Sequence, residues 1–170
     1  MKRYVAERAA LEENARLLLE AAGEAALYAV VKGDGYGLGV QALAGVLRGA
    51  GVRHFAVTEP NEARALRESG PEDEEILMLR ATSDPEELEA LLSLRVTATI
   101  GTQEDAVALN GIAGRLGVRA RAHIAFDTGM GRYGFLPEEL QKAEAVYDYM
   151  PNIEVTGVYT HFSCAFCSKK

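Results

Sequence analysis

The sequence predicts an α/β fold built on a parallel sheet, because short apolar runs alternate with longer stretches of helical period. The runs have the length of buried strands and recur at intervals of roughly 20 to 30 residues. Such intervals favour right-handed crossovers from each strand to the next. With 170 residues, of which 48% are hydrophobic, the chain has enough apolar surface to form one domain around a core.

The elements follow one another as six repeats of helix and strand. Helical periodicity predicts helices over 7–22, 40–49, 61–69, 84–93, 102–116 and 137–150. Short apolar runs predict strands over 27–31, 54–57, 76–79, 96–100, 122–126 and 155–159.

Capping residues support the helix boundaries. Asp84 is followed by Pro-Glu-Glu, which places an N-cap acid, a proline at the first helical position and further acids in the first turn. Pro137 begins another helix in the same manner. Three helices are followed by Gly23, Gly70 and Gly117, as C-cap glycines would be.

The composition excludes several classes of partner. The net charge is −7, and Lys and Arg are dispersed among acidic residues, which argues against a nucleic-acid partner. No apolar run approaches the roughly 20 residues that a membrane span needs. The N-terminal segment has no apolar signal core. We therefore expect a cytoplasmic protein that contacts neither nucleic acids nor membranes.

Two cysteines, Cys164 and Cys167, follow His161 with C-x-x-C spacing. This spacing can chelate zinc or support redox cycling, but a tetrahedral metal site needs a fourth ligand. The other histidines, His54 and His123, are distant in sequence, and we interpret them as structural residues. We expect no metal site here and two reduced thiols in a loop.

Lys32 lies where the first predicted strand ends and a glycine-rich loop begins, in the string AVVKGDGYGLG at 29–39. An amine at the carboxyl end of an apolar strand is partly desolvated, which makes it a plausible nucleophile toward an aldehyde. The glycines fit turns that need positive φ and a close approach of the backbone to a bulky ligand. The loop does not match the dinucleotide fingerprint G-x-G-x-x-G, because Leu38 stands where the third glycine belongs.

The string at 29–39 resembles the pyridoxal-phosphate attachment motif of the alanine racemase family. Two further strings, DTGMGRYGF at 127–135 and GVYTHF at 157–162, look like two more signatures of that family in matching order. The resemblance covers the whole chain, including 11–14 and 55–64. It implies a pyridoxal-phosphate-dependent amino-acid racemase, with interconversion of L- and D-alanine as the expected reaction.

The resemblance also implies a role for four residues. Lys32 would hold the cofactor covalently and exchange the Cα proton of the substrate on one face. Tyr36 matches the family tyrosine whose hydroxyl bonds the cofactor phosphate. Arg132 matches the arginine that binds the substrate carboxylate and contacts the cofactor ring oxygen, a task that suits its planar fork. His161 matches the histidine that packs against the pyridine ring.

Six parallel units are compatible with a doubly wound sheet and with a (β/α)8 barrel. Lys32, Arg132 and His161 follow the carboxyl ends of three different predicted strands, where a barrel collects its active site. The resemblance likewise implies a TIM-type barrel. We therefore expect residues 1–170 to form an incomplete N-terminal portion of about six βα units. The resemblance further implies a C-terminal β domain and a homodimer, in which a tyrosine of the partner subunit supplies the second base.

One position departs from the family pattern. Many alanine racemases carry a carbamylated lysine two residues before the motif aspartate, and its charge orients the arginine. This chain has Ala125 there, so another group or a bound anion holds Arg132, or the substrate preference differs. Two alternatives to a racemase stay open: a lyase or decarboxylase on the related barrel, and a non-enzymatic protein that binds the cofactor.

Overall fold

The computed structural model describes residues 5–165 and has the α/β fold that the sequence predicts. The strands are β1 (Tyr28–Val30), β2 (His54–Val57), β3 (Glu75–Ala81), β4 (Thr97–Ile100), β5 (Ala120–Phe126) and β6 (Ile153–Thr160). The helical segments are α1 (Arg8–Ala22), α2 (Lys32–Tyr36), α3 (Val40–Ala50), α4 (Pro60–Ser69), α5 (Pro85–Ser93), α6 (Gln103–Leu116) and α7 (Leu140–Tyr149).

The strands form one six-stranded sheet in chain order, from β1 to β6. The pairs β1–β2, β2–β3, β4–β5 and β5–β6 are parallel. All six predicted strands are therefore confirmed, with ends that differ by at most two residues. Adjacent parallel strands joined through helices are the arrangement that the spacing of the apolar runs favours.

The predicted helix starts are confirmed at two caps. The Asp84 side chain accepts the N–H of Glu87 at 3.0 Å, and Thr102 is the N-cap of α6, with a capping box that includes Asp105. The last helix differs from its prediction over 137–150. Pro137–Glu139 form a 3₁₀ turn, and the α-helix begins only at Leu140, as is common for the first turn of a helix.

Gly70 occupies its predicted C-cap position for a different reason from the other two glycines. Its φ of −130° is ordinary extended backbone, whereas Gly23 and Gly117 have positive φ. A Cβ at Gly70 would overlap Nη2 of Arg48. The absence of a side chain therefore makes room for the guanidinium and does not serve a left-handed turn.

The chain divides into two compact units, residues 1–78 and 79–170. In the first unit, fully buried side chains come from the strands, the helices and the residues next to them, and they include Val31, Ala44, Phe55, Val57, Leu66, Ile76 and Met78. This unit also contains a bidentate ion pair between Arg48 and Glu74, with both N···O distances at 2.8 Å.

The second unit has a continuous apolar core between its strands and helices. Its members include Leu88, Ile100, Leu109, Ile124, Phe135 and Val146. These residues come from α5, β4, α6, β5, the loop after β5 and α7, so helices and strands are held together by apolar burial. The core includes Ile124, near the carboxyl end of β5, and Ile153, at the start of β6, and the second group of candidate site residues follows the carboxyl ends of these two strands.

Candidate active site

Lys32 lies two residues beyond strand β1, in the first unit. The preceding residue, Val31, is fully buried and donates its N–H to the carbonyl of Ala56 at 2.9 Å. Lys32 itself is half-buried. Lys32 therefore follows the buried end of β1, as the sequence predicts. The backbone immediately before it is hydrogen-bonded to β2.

The residues after Lys32 form a left-handed turn. Gly33, Asp34 and Gly35 have φ/ψ values of 63/44°, 51/51° and 63/37°, and Tyr36 has a φ of 56°. For an L-residue this conformation costs roughly 1–2 kcal/mol. Two residues beside the candidate nucleophile are therefore held in a costly conformation, which requires compensating contacts.

The side chain of Asp34 supplies one of these contacts. Its Oδ1 accepts the N–H of Val40 at 3.0 Å, at the first residue of helix α3. A carboxylate at this place satisfies one of the free N–H groups of the helix and interacts favourably with its dipole. The turn and the helix that follows it are thus coupled through one side chain.

Glu62 supplies a second contact from helix α4. Its Oε1 accepts the N–H of Asp34 at 3.0 Å, and its Oε2 accepts the N–H groups of Thr58 and Glu59 at 3.0 and 3.1 Å. The residue is 6% exposed. One buried carboxylate therefore joins the loop after β1 to the loop after β2, and it does so through three charge-assisted hydrogen bonds.

Tyr36 ends the left-handed turn and points its ring toward solvent. The residue is 61% exposed, so its hydroxyl can reach a ligand without displacing a core contact. Lys32 and Tyr36 lie at opposite ends of the same five-residue turn. The first unit therefore presents an amine and a phenol from one loop.

In the second unit, the loop after β5 is organised by Asp127. Its Oδ1 accepts the N–H groups of Gly129 and Gly131 at 2.8 and 3.0 Å, and its Oδ2 accepts the N–H of Arg132 at 2.8 Å. These backbone N–H groups, that of Gly129 foremost, lower the pKa of Asp127 below its ordinary value. The loop is therefore stabilised by an ionised carboxylate, and the backbone of Arg132 is fixed by it.

The loop closes on itself at Phe135. The N–H of Asp127 donates to the carbonyl of Phe135 at 2.9 Å, and the N–H of Phe135 donates to the carbonyl of Ala125 at 2.9 Å. Gly134 lies inside this closure with a φ of 117°, and a Cβ there would lie 2.7 Å from the Asp127 nitrogen. Glycine is required at this position by both conformation and space.

The guanidinium of Arg132 lies over the ring of Tyr133, with Cζ 4.8 Å from the ring centroid. The Tyr133 hydroxyl donates to the carbonyl of Leu79 at 2.6 Å. The same carbonyl accepts the hydroxyl of Tyr159 at 2.8 Å. Two tyrosines, Tyr133 and Tyr159, are therefore anchored at one backbone oxygen.

Tyr159 lies in strand β6, two residues before His161. Burial raises the pKa of its hydroxyl well above the ordinary value, so the group stays protonated and donates to Leu79. Its oxygen lies 3.0 Å from the Thr99 hydroxyl. These contacts fix the end of β6 immediately before His161.

Arg132 and His161 line one pocket of the second unit, together with Ala125, Phe126, Asp127, Met130, Tyr133 and Tyr159. Arg132 and His161 are both exposed, whereas Ala125 is only 2% exposed. The predicted pair from the DTGMGR and GVYTHF strings is therefore brought together. Lys32 and Tyr36 are brought together separately, in the first unit.

Three residues of these sites were not identified from the sequence, namely Glu62, Tyr133 and Tyr159. The sequence Glu-Pro-Asn-Glu at 59–62 contains the spacing of a capping box, which the structure forms. That signal is local and does not reveal the bond from Glu62 to Asp34. Tyr133 and Tyr159 lie within the two motif strings, but their shared acceptor, Leu79, is distant in sequence.

The remaining histidines have structural surroundings. His54 lies beside Tyr28, with ring centroids 5.0 Å apart. His123 lies over Gly157 on the neighbouring strand, where a Cβ would approach its ring to within 2.7 Å. Gly157 is therefore required for the imidazole to pack against β6.

Among residues 5–165, no group of three or more His, Cys, Asp or Glu side chains is arranged to hold a metal ion. Cys164 is disulfide-bonded, so the expectation of a reduced thiol is wrong there, and Cys167 lies outside the described residues. No helix in the described part of the chain is long and apolar enough to span a membrane.

Comparison with known proteins identifies the family. The family model for the N-terminal domain of alanine racemase matches residues 7–170. The alanine racemase of Carboxydothermus hydrogenoformans is 39% identical over 155 residues, which are 91% of this chain and 41% of the relative. The chain thus spans about two fifths of the length of this relative.

Solved structures agree with the sequence comparison. The alanine racemase of a D-cycloserine-producing Streptomyces lavendulae superposes with a TM-score of 0.83 at 28% identity, over 93% of this chain and 42% of that one. The alanine racemase of Bartonella henselae, solved with covalently bound pyridoxal phosphate, gives a TM-score of 0.81 at 25% identity, over 92% and 44% of the two chains. From the matched family model, the chain belongs to the alanine racemase N-terminal domain family.

Proposed function

We propose that this chain is the cofactor-binding portion of a pyridoxal-phosphate-dependent amino-acid racemase, with alanine as its substrate. The observation that carries the proposal is the placement of Lys32, a half-buried amine two residues beyond β1 in a turn held by partly buried hydrogen bonds. Family membership supports it, since the relatives are alanine racemases and one of them holds pyridoxal phosphate covalently.

The residues present fit this cofactor. Lys32 offers a primary amine for a covalent link, and the exposed hydroxyl of Tyr36 is free to donate to a phosphate. In the second unit, Arg132 supplies a cation and His161 a flat ring in a pocket with aromatic walls. An aromatic cofactor with an anionic group and an amino-acid substrate requires donors of these kinds.

Each residue has a distinct task in the proposed reaction. When bound, pyridoxal phosphate withdraws electrons from the Cα of an attached amino acid and makes its proton removable. Once the amino group of the substrate has taken its place on the cofactor, Lys32 would have a free Nζ, which would take that proton and return it on the same face. Arg132 binds the substrate carboxylate through its N–H groups, and Asp127 keeps its backbone in place. Tyr36 binds the phosphate, and His161 packs against the ring.

Inversion at Cα requires a second base on the opposite face. We propose that residues 1–170 are the N-terminal part of a longer enzyme, which the coverage of 41% of a relative's length supports. By the family resemblance, the second base is a tyrosine of the partner subunit in a homodimer. A cytoplasmic location stays a prediction.

The first experiment is reductive trapping. The chain is mixed with pyridoxal phosphate, its visible spectrum is recorded, and borohydride reduction is followed by peptide mapping. We expect an absorption band and a reduced adduct on the peptide that contains Lys32. Lys142→Ala, a change at an exposed lysine of α7, should leave both unchanged, whereas Lys32→Ala should abolish them. Adducts spread evenly over the lysines of a folded chain would contradict the proposal.

A second experiment separates a racemase from the alternatives. The chain loaded with pyridoxal phosphate is incubated in D₂O with L-alanine and, separately, with D-alanine. Because Lys32 serves one face only, we expect deuterium at Cα of one enantiomer, without inversion. Release of carbon dioxide would indicate a decarboxylase, and a trapped cofactor without any exchange would indicate a cofactor-binding protein.

A further inference from the structure

Arg132 has no charged partner in the described part of the chain. None of the ion pairs among residues 5–165 includes it, and the pocket residue two positions before Asp127 is Ala125, whose methyl group carries no charge. Asp127 accepts the backbone N–H of Arg132 at 2.8 Å. The carboxylate therefore fixes the start of the side chain and leaves the guanidinium to other contacts.

The contact that the guanidinium makes is with the next residue in the chain. Its Cζ lies 4.8 Å from the centroid of the Tyr133 ring, which is within the range of a cation–π interaction. The ring is itself fixed, because its hydroxyl donates to the Leu79 carbonyl at 2.6 Å. The guanidinium thus packs on a surface that is anchored at its far end.

We infer that Tyr133 is a positioning residue, whose ring holds the Arg132 guanidinium in place and leaves its N–H groups open to an anionic ligand. An ion pair would occupy those N–H groups and offset the positive charge. A ring uses only the face of the guanidinium, so the in-plane donors stay available for a carboxylate. The inference rests on the proposed function only for the identity of that carboxylate as the substrate's.

Two variants separate the ring from the hydroxyl. Tyr133→Phe keeps the ring and removes the bond to Leu79, whose carbonyl retains the Tyr159 hydroxyl at 2.8 Å and so is not left without a donor. Tyr133→Leu removes the ring. Tyr147→Leu, at an exposed tyrosine of α7, is the control for the loss of an aromatic residue elsewhere.

The readouts need neither cofactor nor turnover. In NMR spectra of the full 170-residue chain, protons of the Arg132 side chain should show an upfield ring-current shift, assigned with Arg132→Gln. The rate at which phenylglyoxal modifies Arg132 is followed by peptide mass. Tyr133→Leu should abolish the shift and speed modification by roughly 2- to 30-fold, the range expected for loss of a cation–π contact.

The outcomes distinguish this inference from the proposed function. Tyr147→Leu should behave as the unaltered chain does, whereas Tyr133→Phe keeps the ring but loses its anchor at Leu79 and should therefore lose at most part of the ring-current shift. The role of the ring would be overturned if Tyr133→Leu left both the ring-current shift and the modification rate unchanged. It would also be overturned if Tyr133→Phe lost the shift as completely as Tyr133→Leu does. If Tyr133→Leu does not fold, Tyr133→Met is measured with the same expectation. If the cofactor is trapped at Lys32 but the variants do not differ in ring-current shift or modification rate, this inference alone is overturned. If the variants differ as expected but no cofactor is trapped at Lys32, the inference is supported and the proposed function is overturned.

Discussion

The carboxylate of Glu62 accepts the backbone N–H of Asp34 at 3.0 Å, across 28 positions of sequence. The bond reaches the centre of the left-handed turn that follows Lys32. With its other oxygen, Glu62 accepts the N–H groups of Thr58 and Glu59. A turn of this hand is unfavourable for Asp34, so its stability depends on a residue of another helix.

Glu62→Ala should therefore lower both stability and cofactor attachment. Removing the acceptor leaves three partly buried N–H groups without this partner, at a cost of at most roughly 1–3 kcal/mol each if no water enters. Urea unfolding measures the loss of stability. Reductive trapping measures attachment, and we expect less adduct at Lys32 because the turn that carries it is less populated.

The matched control for Glu62 is Glu68→Ala, which removes an exposed carboxylate from the same helix. We expect a change in the free energy of unfolding within about 0.5 kcal/mol there. Equal effects of the two substitutions would show that Glu62 acts through general helix charge and not through the loops.

Gly134→Ala and Gly111→Ala should shift stability in opposite directions. At Gly134, a Cβ would lie 2.7 Å from the Asp127 nitrogen at a φ of 117°, and the unfavourable φ alone costs roughly 1–3 kcal/mol. Gly111 is an exposed residue of α6 with open space around its Cα, so alanine should stabilise the helix by roughly 0.5–1 kcal/mol. Denaturant unfolding of both variants gives the two signs, and a neutral Gly134→Ala would show that the loop after β5 can relax.

Local signals were sufficient for the strands and the helix caps, but not for every contact of the site. Strand β2 was predicted with its observed ends, and the caps at Asp84 and Thr102 follow from their own neighbouring residues. The turn Lys32–Tyr36 was not predicted as helical, because its left-handed conformation depends on Glu62 as well as on its glycines. Long-range contacts of this kind leave no periodic signal in the sequence.

The same limit applies to the second unit. The motif strings DTGMGRYGF and GVYTHF predicted that Arg132 and His161 are site residues, and both residues line one pocket. Their neighbours Tyr133 and Tyr159 meet at the carbonyl of Leu79, which lies 54 and 80 positions away. A backbone acceptor has no side-chain identity, so no residue pattern indicates such a partner.

Glu74→Gln should be strongly destabilising, whereas Glu89→Gln should not. The Glu74 side chain is 2% exposed and pairs with both Nε and Nη2 of Arg48. Removing one charge of a buried pair leaves the other uncompensated, which costs roughly 3–5 kcal/mol. Glu89 pairs with Arg115 at the surface, where both side chains are about half exposed, and such pairs contribute at most about 1 kcal/mol. Thermal unfolding should separate the two variants clearly, and a Glu74→Gln variant as stable as Glu89→Gln would mean that water reaches Arg48.

Asp127→Asn should destabilise the loop that carries Arg132, and the effect should depend on pH. Three backbone N–H groups bind the two oxygens of Asp127, so an amide nitrogen in place of one oxygen would face a donor. The pKa of Asp127 is lowered in the folded state, chiefly by the N–H of Gly129. The carboxylate therefore stabilises the fold above its unfolded pKa, which is about 3.9, and this contribution is lost as the pH falls through the lowered value.

Urea unfolding of wild type and Asp127→Asn across a pH series tests that sign. The difference in free energy of unfolding should be constant near pH 7 and should shrink below about pH 4, where the wild-type side chain also becomes neutral. Asp148→Asn, at an exposed residue of α7, controls for the loss of one negative charge. A difference that persists unchanged into acid would show that the loop depends on the shape of the side chain and not on its charge. In that case Arg132 would keep its backbone position in acid, and the charge of Asp127 would have no part in placing it.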